Sequence, residues 1–261
     1  MDTGLSGKSV LVFASSKGLG KASAKLYAEA GADVMLTSRT EKNCQEAAEE
    51  LRRTASGRVS YFVCDVSRGE DVQKAVACTA EQFGGLDVLV NNAGGPPPGT
   101  FEETTEEDWA FAWELTLMSG VRAIRAALPY LKTSAGKIIT ITSSSMKEPV
   151  DGLLLSNVYR TGIVGLTKSL AKEFGQYGIL VNAVGPGRID TERVRQLDGK
   201  KAAALGEDEA DVRRNNAAQI PLGRYGEPEE FARTVLFLGS GWNTYVTGQH
   251  FLADGGVTNA Y

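Results

Sequence analysis

Six short apolar runs recur along the chain: SVLVF (9–13), DVMLTS (33–38), VSYFVC (59–64), LDVLV (86–90), KIITIT (137–142) and ILVNAV (179–184). They are aliphatic or β-branched almost throughout rather than alternating with polar residues, which is how a strand buried on both faces reads. Between them lie stretches of helical period, such as GKASAKLYAEAG and DVQKAVACTAEQFGG, that end in glycine as a helix C-terminus does. Strands covered on both faces and separated by helices leave essentially one architecture, an α/β doubly wound parallel sheet flanked by helices. At 261 residues and 42% hydrophobic content the chain suffices for a single well-buried domain over 1–261.

The charges narrow the partners. Twenty-eight Lys+Arg against 32 Asp+Glu give a net −4, spread along the chain with no basic block, so neither nucleic acid nor an anionic membrane is expected. Cys44, Cys64 and Cys78 are odd in number and lack metal-ligand spacing, which suits a reducing compartment and predicts no metal site. The N-terminus MDTGLSGKSVLVF moves directly into a strand pattern, and no apolar stretch approaches the ~18 residues of a membrane span. The expectation is a cytoplasmic protein.

One segment breaks the rhythm. Residues 190–220, DTERVRQLDGKKAAALGEDEADVRRNNAAQI, are charged and Ala-rich and follow the sixth run. In open α/β sheets ligands bind beyond the carboxyl ends of the strands, so one or two helices here are predicted to form a lid over substrate.

After the first strand comes ASSKGLGKA (14–22), where Gly18 and Gly20 let the backbone approach a pyrophosphate at a helix N-terminus. Further along, CDVS (64–67), NNAG (91–94), PG (186–187) and DGG (254–256) follow in order at strand ends. The ordered set resembles the short-chain dehydrogenase/reductase superfamily over almost the entire chain. VNAVGPGRIDT, PLGRYGEPEEFA and YVTGQHFLADGG look most like its 3-oxoacyl-carrier-protein reductases. The resemblance implies a single-domain Rossmann fold. Its Thr-Gly-x-x-x-Gly-x-Gly motif falls on Phe13, Ala14, Ser15, Ser16, Lys17, Gly18, Leu19 and Gly20, with Phe13 and Ala14 departing from it. Ala14 carries a Cβ, so the turn must avoid positive φ there or accept strain.

Where an NAD site would place an acid after the second strand, the sequence has TSRT. With Ser38 beside it, Arg39 would pair with a ribose 2′-phosphate, and Lys17 in the first turn would approach the same dianion, so NADP(H) is the predicted cofactor. By the same resemblance Asp65 and Val66 would flank the adenine, and Asn91, Asn92, Ala93 and Gly94 would support the strand end beside the cofactor. Pro186, Gly187, Ile189 and Thr191 would lie near its carboxamide or diphosphate.

The family's reaction moves hydride between nicotinamide and a carbonyl carbon while a tyrosine exchanges a proton with the oxygen. A lysine four residues later tunes the phenol and holds the ribose, a serine binds the carbonyl oxygen, and an asparagine completes a water relay. The serine position falls on Ser143, with Ser144 and Ser145 as shifted-register alternatives, and the asparagine position on Thr116. Counting forward from Ser143 and back from Gly165–Lys168 both reach residue 156, so Ser156 and Arg160 stand where the resemblance places Tyr and Lys. A serine hydroxyl is far less acidic than a phenol, and an arginine is effectively never deprotonated. Arg160 would therefore anchor the ribose rather than relay a proton. Tyr159, ~60° from 156 on a helix, is a candidate replacement phenol.

These residues predict an NADP(H)-dependent oxidoreductase interconverting a ketone and a secondary alcohol with a non-standard proton-transfer site. Alternatives are a catalytically silent NADP(H)-binding sensor or partner subunit, and a nicotinamide-assisted epimerase or dehydratase. The resemblance also implies a homodimer or homotetramer paired through 106–131 and 153–175, acting on a small carbonyl or alcohol.

Overall fold

The computed structural model describes residues 2–260. Seven strands form one sheet: β1 (Ser9–Val12), β2 (Asp33–Ser38), β3 (Val59–Val63), β4 (Val88–Asn91), β5 (Lys137–Ile141), β6 (Leu180–Pro186) and β7 (His250–Ala253). All neighbours are parallel, in the order β3-β2-β1-β4-β5-β6-β7. Every predicted run is a strand to within two residues at either end, and β7 is an addition. Because β1 pairs with both β2 and β4, the winding reverses between β1 and β4. That switch point opens a crevice at the carboxyl ends of the strands.

Alternation on β1 explains why both faces are apolar. Val10 and Val12 face one apolar layer and Leu11 the other, all at 0% exposure. The first layer is covered by α1 (Gly18–Glu29), α2 (Glu41–Arg52) and α9 (Pro228–Gly239), the second by α3 (Gly69–Phe83), α5 (Ser119–Ser134) and α6 (Leu154–Phe174). Gly84 closes α3 in the left-handed conformation, φ 84°, as the glycine stop predicts.

The helix running into α5 is not continuous α. α4 (Glu106–Ala112) starts from a capping box of Thr105 and Asp108, and a π-helical segment, Trp113–Met118, joins it to α5. The π segment carries Thr116 on its buried side. Such bulges recur where a helix must offer a side chain to a site.

The charged 190–220 segment forms two helices, α7 (Glu192–Leu205) and α8 (Glu209–Ala218), starting where β6 ends. Their anchor is Asp198, 1% exposed, which accepts from Arg188 Nη1 (2.9 Å), Arg213 Nη1 (3.3 Å), Asn216 Nδ2 (3.0 Å) and the Tyr225 hydroxyl (2.9 Å). No helix among the described residues is long and apolar enough to cross a membrane.

Candidate active site

The β1–α1 turn is held at close quarters. Ala14 accepts positive φ, +46°, and its N–H donates to Thr37 Oγ1 at 3.0 Å. Gly20 is obligatory: a Cβ there would lie 2.6 Å from both Ala14 O and Asn92 Nδ2, which themselves bond at 3.0 Å. Gly18 adopts φ +55° beneath Thr191. α1 then begins at Lys17 with no side-chain cap and no acid in its first turn. Free N–H groups and the positive dipole end therefore face the crevice, a setting that suits a diphosphate.

Ser15 serves the turn rather than a ligand. Its hydroxyl donates to Val12 O (2.7 Å) and accepts from Thr37 N–H (3.0 Å), and the residue is fully buried. Ser16 and Ser38 hydroxyls meet at 3.0 Å, and exposed Arg39 follows with no ion pair among the described residues. These three fit a phosphate at the mouth between β1 and β2. Lys17, predicted to join them, instead pairs with Glu192 of α7 at 3.0 Å, both side chains well exposed. Leu19 packs against the apolar layer.

Around the crevice, Asp65 accepts from Ser67 N–H (3.0 Å) and Oγ (2.7 Å), closing the turn after β3, and Val66 is buried against the second layer. Asn91, at the end of β4, is buried with its Oδ1 unpartnered, while Asn92, Ala93 and Gly94 lead outward. Gly187 packs on Asp254, where a Cβ would sit 2.6 Å from Asp254 Cα, and fixes the β6 exit through Pro186. Ile189 is buried, and Thr191 caps α7 by accepting from Val194 N–H. The resemblance assigned all of these by strand-end order, and they gather at one end of the sheet.

The chemical centre differs from the sequence expectation in three ways. Ser156 is buried, and the hydroxyl beside it, at 3.0 Å, is that of Ser145, whereas Ser143 Oγ accepts from Ser145 N–H at 3.2 Å. The run of three serines left the register open; the short helical turn at 144–146 sets Ser145 beside Ser156 and Ser143 at its cap.

The second difference is Tyr159. It lies off the Ser156 side, donating its hydroxyl to Trp109 O at 3.0 Å and stacking edge-on with Trp109 at 5.9 Å. Burial raises its pKa, making it a poorer acid. It ties α6 to α4, the 60° offset turning the ring onto the neighbouring helix.

The third is Arg160, which points inward. Only 5% exposed, it donates from Nη1 to Ile141 O at 2.8 Å, and Nε has no partner. Burial pulls its pKa down to about 10, which still leaves it cationic at neutral pH. It lines one cavity with Asn91, Asn92 and Ala93 at the end of β4. Thr116 lines the same cavity, its Oγ1 also unpartnered.

Sequence reasoning missed Thr37, which holds the strained turn, and Arg193, which reaches from α7 across the crevice to Pro96 O at 3.3 Å. Neither sits in a pattern that names it.

Comparison with known proteins decides the family. The family described as enoyl-(acyl carrier protein) reductase matches residues 13–258. The 3-oxoacyl-acyl-carrier-protein reductase of Chlamydia muridarum is 33% identical over 258 residues, covering 98% of this chain and 100% of its own. The chain belongs to the short-chain dehydrogenase/reductase family. Bovine (Bos taurus) L-fucose dehydrogenase is 34% identical over 100% of this chain and 93% of its own. Among solved structures, L-sorbose reductase from Gluconobacter frateurii, complexed with NADPH and L-sorbose, matches at TM-score 0.95 with 33% identity over 100% of both chains. Actinorhodin polyketide ketoreductase with NADPH matches at TM-score 0.92 with 29% identity, over 99% of this chain and 100% of its own.

Proposed function

We propose that this short-chain dehydrogenase/reductase is an NADP(H)-dependent oxidoreductase that interconverts a ketone and a secondary alcohol. The observation that carries the reading is the phosphate-ready mouth. An uncapped α1 N-terminus free of acids lies beside Ser16, Ser38 and the unpaired Arg39. An aspartate or glutamate after β2 would repel a 2′-phosphate, and Arg39 stands there instead. The NADPH held by the sorbose reductase and the polyketide ketoreductase supports the same cofactor.

When bound, the nicotinamide supplies or accepts the hydride; the chain's residues orient, polarise and shield. Ser143, Ser145 and Ser156 form a cluster of hydroxyls at the end of β5 and the start of α6, able to donate to a carbonyl oxygen. None has the acidity of a phenol, so the proton comes from water or from substrate. Absence of a positioned acid lowers the rate by about 10² to 10⁴, while orientation of the reacting carbons is kept. α7 and α8 form the lid over the substrate side, with Arg193 spanning the crevice.

Titrating the protein with NADPH and NADH by cofactor fluorescence tests the cofactor, and a panel of small ketones and polyols tests the reaction. Tighter NADH binding overturns the cofactor assignment. A second reading, a catalytically silent NADP(H)-binding protein, is favoured by the inward Arg160 and the engaged Tyr159. NADPH binding without turnover on any carbonyl would select it.

A further inference from the structure

Three buried polar atoms among the described residues lack a hydrogen-bond partner: Arg160 Nε, Thr116 Oγ1 and Asn91 Oδ1. They are not scattered. All three residues line one partly open cavity of about 20 Å³ between β4, β5, the π-helical segment and α6, which also reaches Asn92 and Ala93 beyond the end of β4. The rest of its wall is largely apolar, including Leu117, Ile163 and Leu166, and no acidic residue lines it.

The charge makes this more than a packing defect. Arg160 is a guanidinium at 5% exposure whose only hydrogen bond among the described residues is to a neutral carbonyl. Buried charges are ordinarily paired, and one left unpaired is strongly destabilising. No carboxylate among the described residues does the pairing. We propose that the cavity binds a single small monovalent anion, with chloride as the physiological occupant, held by Arg160 Nε–H and the Thr116 hydroxyl.

Size and donors agree with that occupant. A cavity needs about 10–15 Å³ by this measure to hold a water, and a chloride of radius about 1.8 Å is only slightly larger than the 1.4 Å probe. Asn91 completes the shell after a half-turn of its amide. Its carbonyl oxygen then accepts from the Thr140 hydroxyl, now 3.5 Å from Nδ2, and its NH₂ faces the anion as a third donor. With that rotation none of the three residues retains an orphan group. A water would satisfy some of the same atoms but leave the guanidinium uncompensated.

The site does not rest on the redox reading, so its tests use the protein without cofactor or substrate. Crystals soaked in sodium bromide should show an anomalous peak within hydrogen-bonding reach of Arg160 Nε and Thr116 Oγ1. Melting in sodium chloride should exceed melting in sodium gluconate at equal ionic strength, which removes screening as the cause. At a tenfold excess over Kd, chloride raises the folding constant about elevenfold, a gain of roughly 3 to 5 °C for a chain of this size. Thr116→Val should lose most of that gain, and Arg160→Met all of it. If Arg160→Met fails to fold, the bromide peak and Thr116→Val still decide. A cavity holding only water, equal melting in the two salts, or a bromide peak with no chloride effect would each overturn the proposal, the last marking an adventitious ion.

Discussion

At the scale of single residues, Ala14 is the strained point. The family's motif has glycine there, and the alanine sits at φ +46°. Left-handed backbone costs an L-residue about 1–2 kcal/mol, and a glycine recovers that minus about 0.4–1 kcal/mol of unfolded-state entropy. Ala14→Gly should therefore stabilise the protein by roughly 0.5–1 kcal/mol in urea denaturation. Arg39 makes the second residue-scale prediction. A charge-assisted hydrogen bond to phosphate contributes about 1.5–3 kcal/mol, so Arg39→Ala should weaken NADPH binding by roughly 10- to 100-fold and leave NADH nearly unchanged. Equal loss for both cofactors would show that Arg39 does not read the 2′-phosphate. The sequence placed these residues because glycine, alanine and arginine at a strand end carry positional meaning. It did not place the Arg160 side chain, since whether a long cation turns inward or outward depends on a cavity built by β4, β5 and the π segment together. The choice among Ser143, Ser144 and Ser145 stayed open for a related reason: three identical residues in a row carry no register until the turn at 144–146 forms.

At the scale of elements, the packing of α1 on α9 rests on one close approach. Tyr27, fully buried, donates to Val235 O at 2.8 Å, and a Cβ at Gly239 would stand 2.0 Å from its hydroxyl oxygen. Gly239→Ala should cost about 1–3 kcal/mol by overpacking. Tyr27→Phe alone should cost about 1 kcal/mol through the lost hydrogen bond. Because removing the hydroxyl opens the space the new methyl needs, the double substitution should lose less than the sum of the two. Strict additivity in a denaturation cycle would refute the contact. Six strands were legible because each is apolar on both faces. β7 was not: it lies at a sheet edge as β3 does, but unlike β3 it opens with a histidine and leaves all four residues half-exposed, so no buried period marks it. The π segment was equally invisible, since WELTLM satisfies an α-helical pattern as well as a π one.

At the scale of the whole molecule, α7 and α8 are fastened to each other and to the loop after β6 by a network of charges, beside the buried Ala202 and Val212. Arg213 of α8 reaches Asp198 and also Asp190, at 3.1 Å, while Arg195 binds Asp190 through Nε (3.0 Å) and Nη2 (3.1 Å). Asp198→Asn leaves Arg188 and Arg213 short of their counter-charge. The two helices should loosen by roughly 2 kcal/mol, below the fully buried case because both arginines reach water. Hydrogen exchange over 192–218 should then quicken while the sheet stays protected; unchanged exchange would mean the helices are held some other way. Asp190 gives the clamp a pH limit. Hydrogen bonds from Arg195, and then from Arg213, hold its carboxyl below the ordinary value. A lowered folded pKa means the stabilisation is full above the unfolded value of about 3.9 and is lost as pH falls through the folded value. Exchange over 192–218, corrected for the intrinsic rate, should therefore be flat from neutral pH down to about pH 5. It should then rise below about pH 4, ahead of the sheet, as the carboxyl takes up its proton. Asp190→Asn removes that titration, so its α7 and α8 should exchange faster at neutral pH and show a weaker acid limb. An acid limb as steep as that of the unaltered protein would assign the titration to another carboxyl.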